Sequence, residues 1–341
     1  MLNTIYRLVE PRHFEAQFTD IDITGDEVIV RPAYLSICNA DMRYYQGKRP
    51  PEVLQKKLPM ALIHEGIGNV IFDPRKEFTV GQCVAMVPNT PVEKDEIIAE
   101  NYLRTSRFRA SGFDGFMQDK VAMDRDRIVP VPKNVNRQVA AFTELASVSY
   151  HTINRFDSIA HSRRRRIGVW GDGNLAFITS LLLKKRMPES RIAIFGKNPY
   201  KMMDFAFADE TYDITDIPKD LRVDHAFECV GREASGNAIN QIIDYIHPEG
   251  TIAIMGVSEI FVPLNTRMIL EKGLRIFGSS RSGKQDFVDT LAFYRKNRDV
   301  VEYMESIVGN IIKVKTITDM NKAFDDDIRK SGGKTVMIWE K

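Results

Sequence analysis

Four side chains in the first half of the chain carry the donor atoms of a metal site: the thiol of Cys38, the imidazole of His64 and the carboxylates of Glu65 and Glu144. A catalytic zinc takes three protein ligands and keeps one position open for water or substrate. Cys38, His64 and one of the glutamates supply such a set. By residue type alone the pattern stays ambiguous, because only His64 and Glu65 adjoin. A buried cysteine also serves as a small hydrophobe, and an isolated His or Glu has many structural uses. A second group lies in Gly171-Asp172-Gly173-Asn174-Leu175-Ala176, which spells G-x-G-x-x-A. Between a strand and a helix this pattern cradles a dinucleotide pyrophosphate. Gly171 takes the tight turn, Gly173 lets the backbone approach the phosphates, and Ala176 lets the helix lie close on the sheet.

The flanking sequence supplies that context. Ile167-Gly-Val-Trp170 is a short apolar strand, and Leu175, Phe177, Ile178, Leu181 and Leu182 recur at helical spacing. Arg191-Ile-Ala-Ile-Phe195 is a second strand. Asn174 opens the helix, whose N-terminal N–H groups and dipole favour phosphate. The competing reading is a strand-to-helix turn with no ligand. Units that bind NAD usually place Asp or Glu about 20 residues past the glycines, on the ribose hydroxyls. Here the second strand ends Gly196-Lys197-Asn198, without a carboxylate at its tip. Lys197 offers a cation where a 2′-phosphate would sit, and Lys201 follows one turn on. The expected cofactor is NADPH; an ordinary exposed lysine is the alternative.

The elements that must position these groups fall into two patterns. Residues 1 to about 35, the run Pro59 to Val70, Val80 to Val87, and the segment through Val121 and Ile128 read as short strands with glycine punctuation. They predict a small barrel-like β domain. Residues 89–111 are a polar excursion from it, and Asn136 to about Phe156 is helical. From residue 167 onward strands and helices alternate, which implies a parallel sheet with helices on both faces. A helix runs through Ile239, Ile242, Ile243 and Ile246, and Thr335 to Trp339 is a terminal strand expected to return to the barrel. The expected division is residues 1–150, a nucleotide-binding insertion over 151–280, and a return over 281–341. A hydrophobic content of 43% with 28% charged residues is ordinary for a globular protein, and a net charge of +2 gives no field that argues for nucleic acid or membrane partners. Three cysteines and no long apolar run fit a reducing, cytoplasmic setting. The basic run Arg163–Arg166 reads as a solvated loop.

Cys38-x-x-Asp41, the stretch His64-Glu65-x-x-Gly68-x-Val70 and the inserted strand–helix unit together resemble the zinc-dependent medium-chain dehydrogenase/reductase superfamily. The resemblance spans nearly the whole chain. It implies an α/β protein: a GroES-like β-barrel catalytic domain with an inserted Rossmann cofactor domain, a doubly wound parallel sheet. It implies Cys38 and His64 as ligands of a catalytic zinc. Thr143-Glu144-Leu145 resembles the sorbitol dehydrogenase branch, which makes Glu144 the third ligand. Glu65 would be an alternating ligand, and Asp41 would orient groups around the metal. Tyr44 and Arg281 match residues near the substrate of polyol enzymes, and Arg43 is a second candidate for a phosphate ligand because arginine suits bidentate phosphate recognition.

Longer stretches are similar to the ribulose-5-phosphate reductase family. They include Leu58-Pro-Met-Ala-Leu-Ile-His64-Glu65-Gly66, Ala99-Glu-Asn-Tyr102, Ser111-Gly-Phe-Asp-Gly-Phe-Met117 and Gly278-Ser-Ser-Arg-Ser-Gly283. This resemblance implies NADPH-dependent reduction of a sugar phosphate, D-ribulose 5-phosphate, to D-ribitol 5-phosphate. It also implies supply of CDP-ribitol synthesis for teichoic acid or capsule polymers, a homodimer, and a ribitol-5-phosphate cytidylyltransferase as a candidate partner. Two departures from the superfamily matter. Residues 89–111 hold no cysteine, so no structural zinc is expected. Ala40 stands where many alcohol dehydrogenases place a Ser or Thr proton relay, which leaves water, Glu65 or Tyr44 for that task. The competing functions are a zinc polyol dehydrogenase acting on an unphosphorylated sugar alcohol and a catalytically inactive nucleotide-binding module.

Overall fold

The computed structural model describes residues 1–341. By contacts the chain divides into one unit of Met1–Ser147 with Arg281–Lys341 and a second of Val148–Ser280.

Strands β1 (Leu2–Glu10), β2 (His13–Asp20) and β3 (Val28–Ser36) open the first unit, followed by helices α1 (Asn39–Tyr45) and α2 (Pro51–Lys57). Then come β4 (Met60–Ala61), β5 (Glu65–Phe72), β6 (Cys83–Met86), β7 (Asn89–Thr90), β8 (Arg107–Phe108), β9 (Val121–Met123) and β10 (Ile128–Pro130). The stretch expected as one helix from Asn136 is two, α3 (Arg137–Ala140) and α4 (Thr143–Ile159). At the break the Thr143 hydroxyl donates to the Ala140 carbonyl at 2.8 Å. Val28, Ile29 and Val30 are all fully buried, because β3 is an interior strand paired with β5 and β9. The polar excursion is a hairpin in which Asn89 faces Phe108.

The second unit contains β11 (Arg166–Trp170), α5 (Asn174–Arg186), β12 (Arg191–Gly196), α6 (Pro199–Met202), β13 (Glu210–Asp213) and β14 (Val223–Glu228). It continues through α7 (Ser235–Tyr245), β15 (Ile246–Ile254), α8 (Thr266–Glu271) and β16 (Arg275–Gly278). The six strands form one sheet in the order β13-β12-β11-β14-β15-β16, and every pair is parallel. This is the doubly wound order of the Rossmann fold. Helix α5 is buried from Ala176 to Leu183 without a break, and its polar members Thr179 and Ser180 find hydrogen-bond partners at Ser149 and the Ala176 carbonyl. Helix α7 stops at Tyr245, one residue short of the expected Ile246. Pro248 disfavours helical backbone at the residue before it and cannot continue the ladder, and Ile246 pairs with Val223 instead.

The chain returns to the first unit through α9 (Lys284–Lys296), α10 (Arg298–Glu305), β17 (Val308–Val314), α11 (Ile317–Arg329) and β18 (Lys334–Trp339). Strand β18 lies between β17, parallel, and β3, antiparallel. The sheet therefore sets β18, β3 and β5 side by side, with Ser36 opposite both Val336 and Glu65. No helix is long and apolar enough to cross a membrane.

Candidate active site

Cys38 is the residue before α1, and the third residue of that helix is Asp41. The Asp41 carboxylate is fully buried. One oxygen accepts the Cys38 N–H at 3.1 Å and the other accepts the Ile63 N–H at 2.9 Å. A single side chain thus ties the helix start to the turn before His64. Ile63 has φ 71°, an unfavourable conformation for a β-branched residue, held by that hydrogen bond and by the Phe116 N–H, which donates to the Ile63 carbonyl at 2.7 Å. His64 follows with its Nδ1 3.6 Å from Asp41 Oδ1, a charge contact without a hydrogen bond. Its ring lies 5.4 Å from that of Phe108.

Glu65 begins β5 and has no solvent exposure. Lys334, at the start of β18 and only 2% exposed, places Nζ 2.9 Å from Glu65 Oε1, 2.7 Å from Oε2 and 2.9 Å from the Ile37 carbonyl. Ligand atoms of Cys38, His64 and Glu65 all lie within 4.8 Å of one another. Glu144, in the first turn of α4 and 6% exposed, is outside that tight group but shares its electrostatic surroundings. Burial, then the charges of Glu65 and Asp41, push its carboxyl up to about 7, against the pull of His64 and Lys334. Burial and Glu65 likewise push the Cys38 thiol up. Burial works against a proton on His64, yet Asp41 and Cys38 outweigh it and hold the imidazole well above its usual range.

Three carboxyl groups and a thiol therefore face one lysine and one histidine. The sulfur, nitrogen and oxygen donors at close range and a buried His64 Nδ1 without a hydrogen-bond partner fit a divalent cation of zinc's preferences.

The residues expected near the substrate are placed as follows. The Arg281 guanidinium stacks 4.3 Å above the centre of the Phe108 ring, the same ring that touches His64. Burial lowers its pKa while the Glu144 charge opposes this. Tyr44 is buried, with Arg49 and Lys57 at 4.8 and 5.9 Å from its ring centre. Arg43 is half-buried on α1.

In the second unit, Gly171 has φ 132°, and a Cβ there would lie 3.1 Å from the Cys229 carbonyl. Gly173 precedes α5 in extended conformation and faces open space, while Ala176 is fully buried. The Asp172 carboxylate accepts the N–H groups of Lys197 and Asn198 at 2.9 and 2.8 Å, pinning the tip of β12 to the glycine turn. The Lys197 side chain is exposed at that tip.

Lys334, Asp172 and Phe108 were not legible as site residues. The x position of a glycine motif carries no residue rule, and a lysine far along the chain signals nothing until β18 is seen beside β3.

Comparison with known proteins agrees with this architecture. The alcohol dehydrogenase GroES-like domain family matches residues 24–133, and the zinc-binding dehydrogenase family matches residues 201–296. The ribulose-5-phosphate reductase of Bacillus spizizenii is 55% identical over 340 residues, covering 100% of both chains. That of Streptococcus pneumoniae is 44% identical, over 100% of this chain and 98% of its own. The crystal structure of Staphylococcus aureus TarJ in complex with NADPH superposes with a TM-score of 0.91 at 47% identity, covering 100% of both chains. A GroES-like barrel with an inserted Rossmann sheet, matched along its full length by these enzymes, makes this chain an oxidoreductase that belongs to the ribulose-5-phosphate reductase family of the zinc-dependent medium-chain dehydrogenases/reductases.

Proposed function

We propose that the enzyme reduces D-ribulose 5-phosphate to D-ribitol 5-phosphate with NADPH, and that its product supplies CDP-ribitol synthesis for teichoic acid or capsule polymers. The observation that carries this reading is the close Cys38–His64–Glu65 group joined through the Phe108 ring to the Arg281 guanidinium. It pairs a set of metal donors with a cation suited to a phosphate ester. Cys38, His64 and Glu144 would hold one zinc ion, with Glu65 as an alternating ligand. When bound, zinc supplies Lewis-acid polarisation of the C2 carbonyl and NADPH supplies the hydride.

The chain's own residues do the remaining work. Asp41 fixes the spacing of Cys38 and His64 through the two backbone N–H groups it accepts. Lys334 holds the Glu65 carboxylate in place and offsets its charge. Arg281 takes the substrate phosphate, which brings roughly −1.5 to −2 charge at neutral pH and so sets where C2 falls; Tyr44 and Arg43 are the further candidates for substrate contact. Ala40 offers no hydroxyl, so the proton that completes the C2 alcohol comes by way of water, Glu65 or Tyr44. In the second unit, the N–H groups of Gly173, Asn174 and their neighbours receive the pyrophosphate, and Lys197 takes the 2′-phosphate. A cytoplasmic homodimer, associating with a cytidylyltransferase that consumes the product, completes the proposal.

The experiment is product identification. Purified enzyme given NADPH and ribulose 5-phosphate should form ribitol 5-phosphate and oxidised cofactor in equal amounts. A product other than the C2 alcohol, or no product with fully metallated enzyme, contradicts the assignment.

A further inference from the structure

One carboxylate outside the donor cluster links the two segments that frame Arg281. Glu100 sits in a single helical turn, Glu100–Tyr102, within the loop of the β7–β8 hairpin. Its carbonyl accepts from Asn89 Nδ2 at 3.2 Å, on β7, and from Ser106 Oγ at 3.0 Å, just before β8. Its Oε1 accepts from Arg127 Nη1 at 2.8 Å and from the backbone N–H of Lys284 at 2.6 Å. Arg127 is only 4% exposed, and it also donates to the Asn89 carbonyl at 3.2 Å and to Asp126 at 2.8 Å. Gly283 approaches so closely that a Cβ there would lie 2.9 Å from Glu100 Oε1.

The connections lead to Arg281 from both sides. Phe108, the ring beneath the guanidinium, stands opposite Asn89 in the hairpin that Glu100 braces. Lys284 opens α9 just after Arg281, and Ser282 between them has its Oγ 2.7 Å from Ser147 Oγ on α4, the helix that carries Glu144. Asp286 accepts the Gly283 N–H at 2.9 Å, and Glu100 takes the next N–H of the helix start, that of Lys284, so it caps α9 from outside the helix. What Glu100 adds is a fixed distance between the hairpin and the segment that carries Arg281. Arg281 itself has φ 59°, a left-handed conformation that persists only where the surroundings hold it.

We propose that Glu100 is a positioning residue for substrate recognition: through Arg127 and the Lys284 N–H it holds the Arg281 guanidinium over Phe108, aimed at the substrate's phosphate. This rests on the reading above that Arg281 takes the phosphate. Residues 89–111, which hold no cysteine, are braced at this point by an ion pair and hydrogen bonds.

The test is a double-mutant cycle in NADPH oxidation with ribulose 5-phosphate, using Glu100→Ala, Glu100→Gln, Arg281→Ala and the two Glu100 variants combined with Arg281→Ala. Glu100→Ala should raise KM about tenfold, as loss of a charge-assisted contact does, with kcat within about twofold of wild type. Glu100→Gln, which can still accept from Lys284 but cannot pair as an ion, should raise KM less. Neither Glu100 change should add to the loss already caused by Arg281→Ala, because partners in one function are not additive. Full additivity, or a loss in kcat at unchanged KM, overturns the proposal. Arg281→Ala by itself tests the phosphate reading. If it leaves KM unchanged, that reading fails in a variant with Glu100 intact, and the proposal falls with it. Thermal melting of each variant separates misfolding from mispositioning; should Glu100→Ala fail to fold, Glu100→Gln carries the cycle alone and must still be non-additive.

Discussion

Glu65 and Lys334 are a buried ion pair contributed by residues 269 positions apart. Removing one partner of such a pair strands the other charge without solvent, at a cost of about 3–5 kcal/mol, whereas replacing both is often nearly neutral. Lys334→Met should therefore lower the melting temperature markedly, and the double variant Lys334→Met with Glu65→Gln should recover much of the loss. An unchanged melting temperature for Lys334→Met would mean that the pair is not formed in solution. Cys38 tests the metal reading at the same scale. Cys38→Ser should lose bound zinc and turnover together while NADPH still binds, since Gly171, Gly173 and Lys197 all belong to the other unit. Full zinc content in that variant would remove Cys38 from the ligand set. Cys38, His64 and Glu65 are ambiguous by residue type and become legible through the resemblance that Cys38-x-x-Asp41 and His64-Glu65-x-x-Gly68-x-Val70 carry. Lys334 is not legible, because only the pairing of β18 with β3 brings it near them.

At the scale of elements, the glycine turn and the tip of β12 work as one device, joined by Asp172. Lys197→Ala should weaken NADPH far more than NADH, because only NADPH carries a 2′-phosphate. A charge-assisted contact contributes on the order of 1.5–3 kcal/mol, or about tenfold to a hundredfold in affinity. Equal losses for both cofactors would show that Lys197 does not read that phosphate. Strand β14 makes a prediction about pH. His225 is fully buried; its Nδ1 accepts the Thr251 N–H at 3.1 Å, and its Nε2 lies 3.2 Å from the His161 carbonyl. That pairing suits the neutral ring with its proton on Nε2. Burial, then the charges of His161 and Arg164, pull its pKa from 6.5 down to about 4. Below pH 6.5 the unfolded chain binds a proton that the folded chain refuses. The stability held by the neutral ring is thus complete above pH 6.5 and is lost as pH falls toward 4, by at most about 3 kcal/mol. His225→Gln should flatten the melting-temperature profile across that window, and an unchanged slope would assign the acid sensitivity elsewhere. The elements themselves were legible where pattern and punctuation agree, as in the β11–α5–β12 unit. They were misread where a side chain or a downstream proline decides, as at Thr143 and Pro248.

Over the whole molecule, the alternation after residue 167 is enough to specify a doubly wound sheet, because each strand is a short apolar run and the connecting helices carry their own periodicity. The GroES-like barrel is legible mainly through resemblance, since its strands are short and β4, β7 and β8 have only two residues each. The hairpin holding Glu100 and Phe108 gives almost no periodic signal, yet it bears directly on the placement of Arg281. Those two residues matter through partners distant in sequence, which local pattern does not report. The proposed grip of Arg281 on the substrate phosphate depends on that placement. The decisive measurement is kcat/KM for NADPH oxidation with ribulose 5-phosphate and with ribulose, in the wild type and in Arg281→Ala. The wild type should prefer the phosphate ester strongly, and Arg281→Ala should cut kcat/KM for it by about tenfold or more while barely changing the poor turnover of ribulose. A wild-type enzyme that prefers plain ribulose would contradict the phosphate reading, and an equal proportional loss on both substrates would assign Arg281 to the sugar hydroxyls.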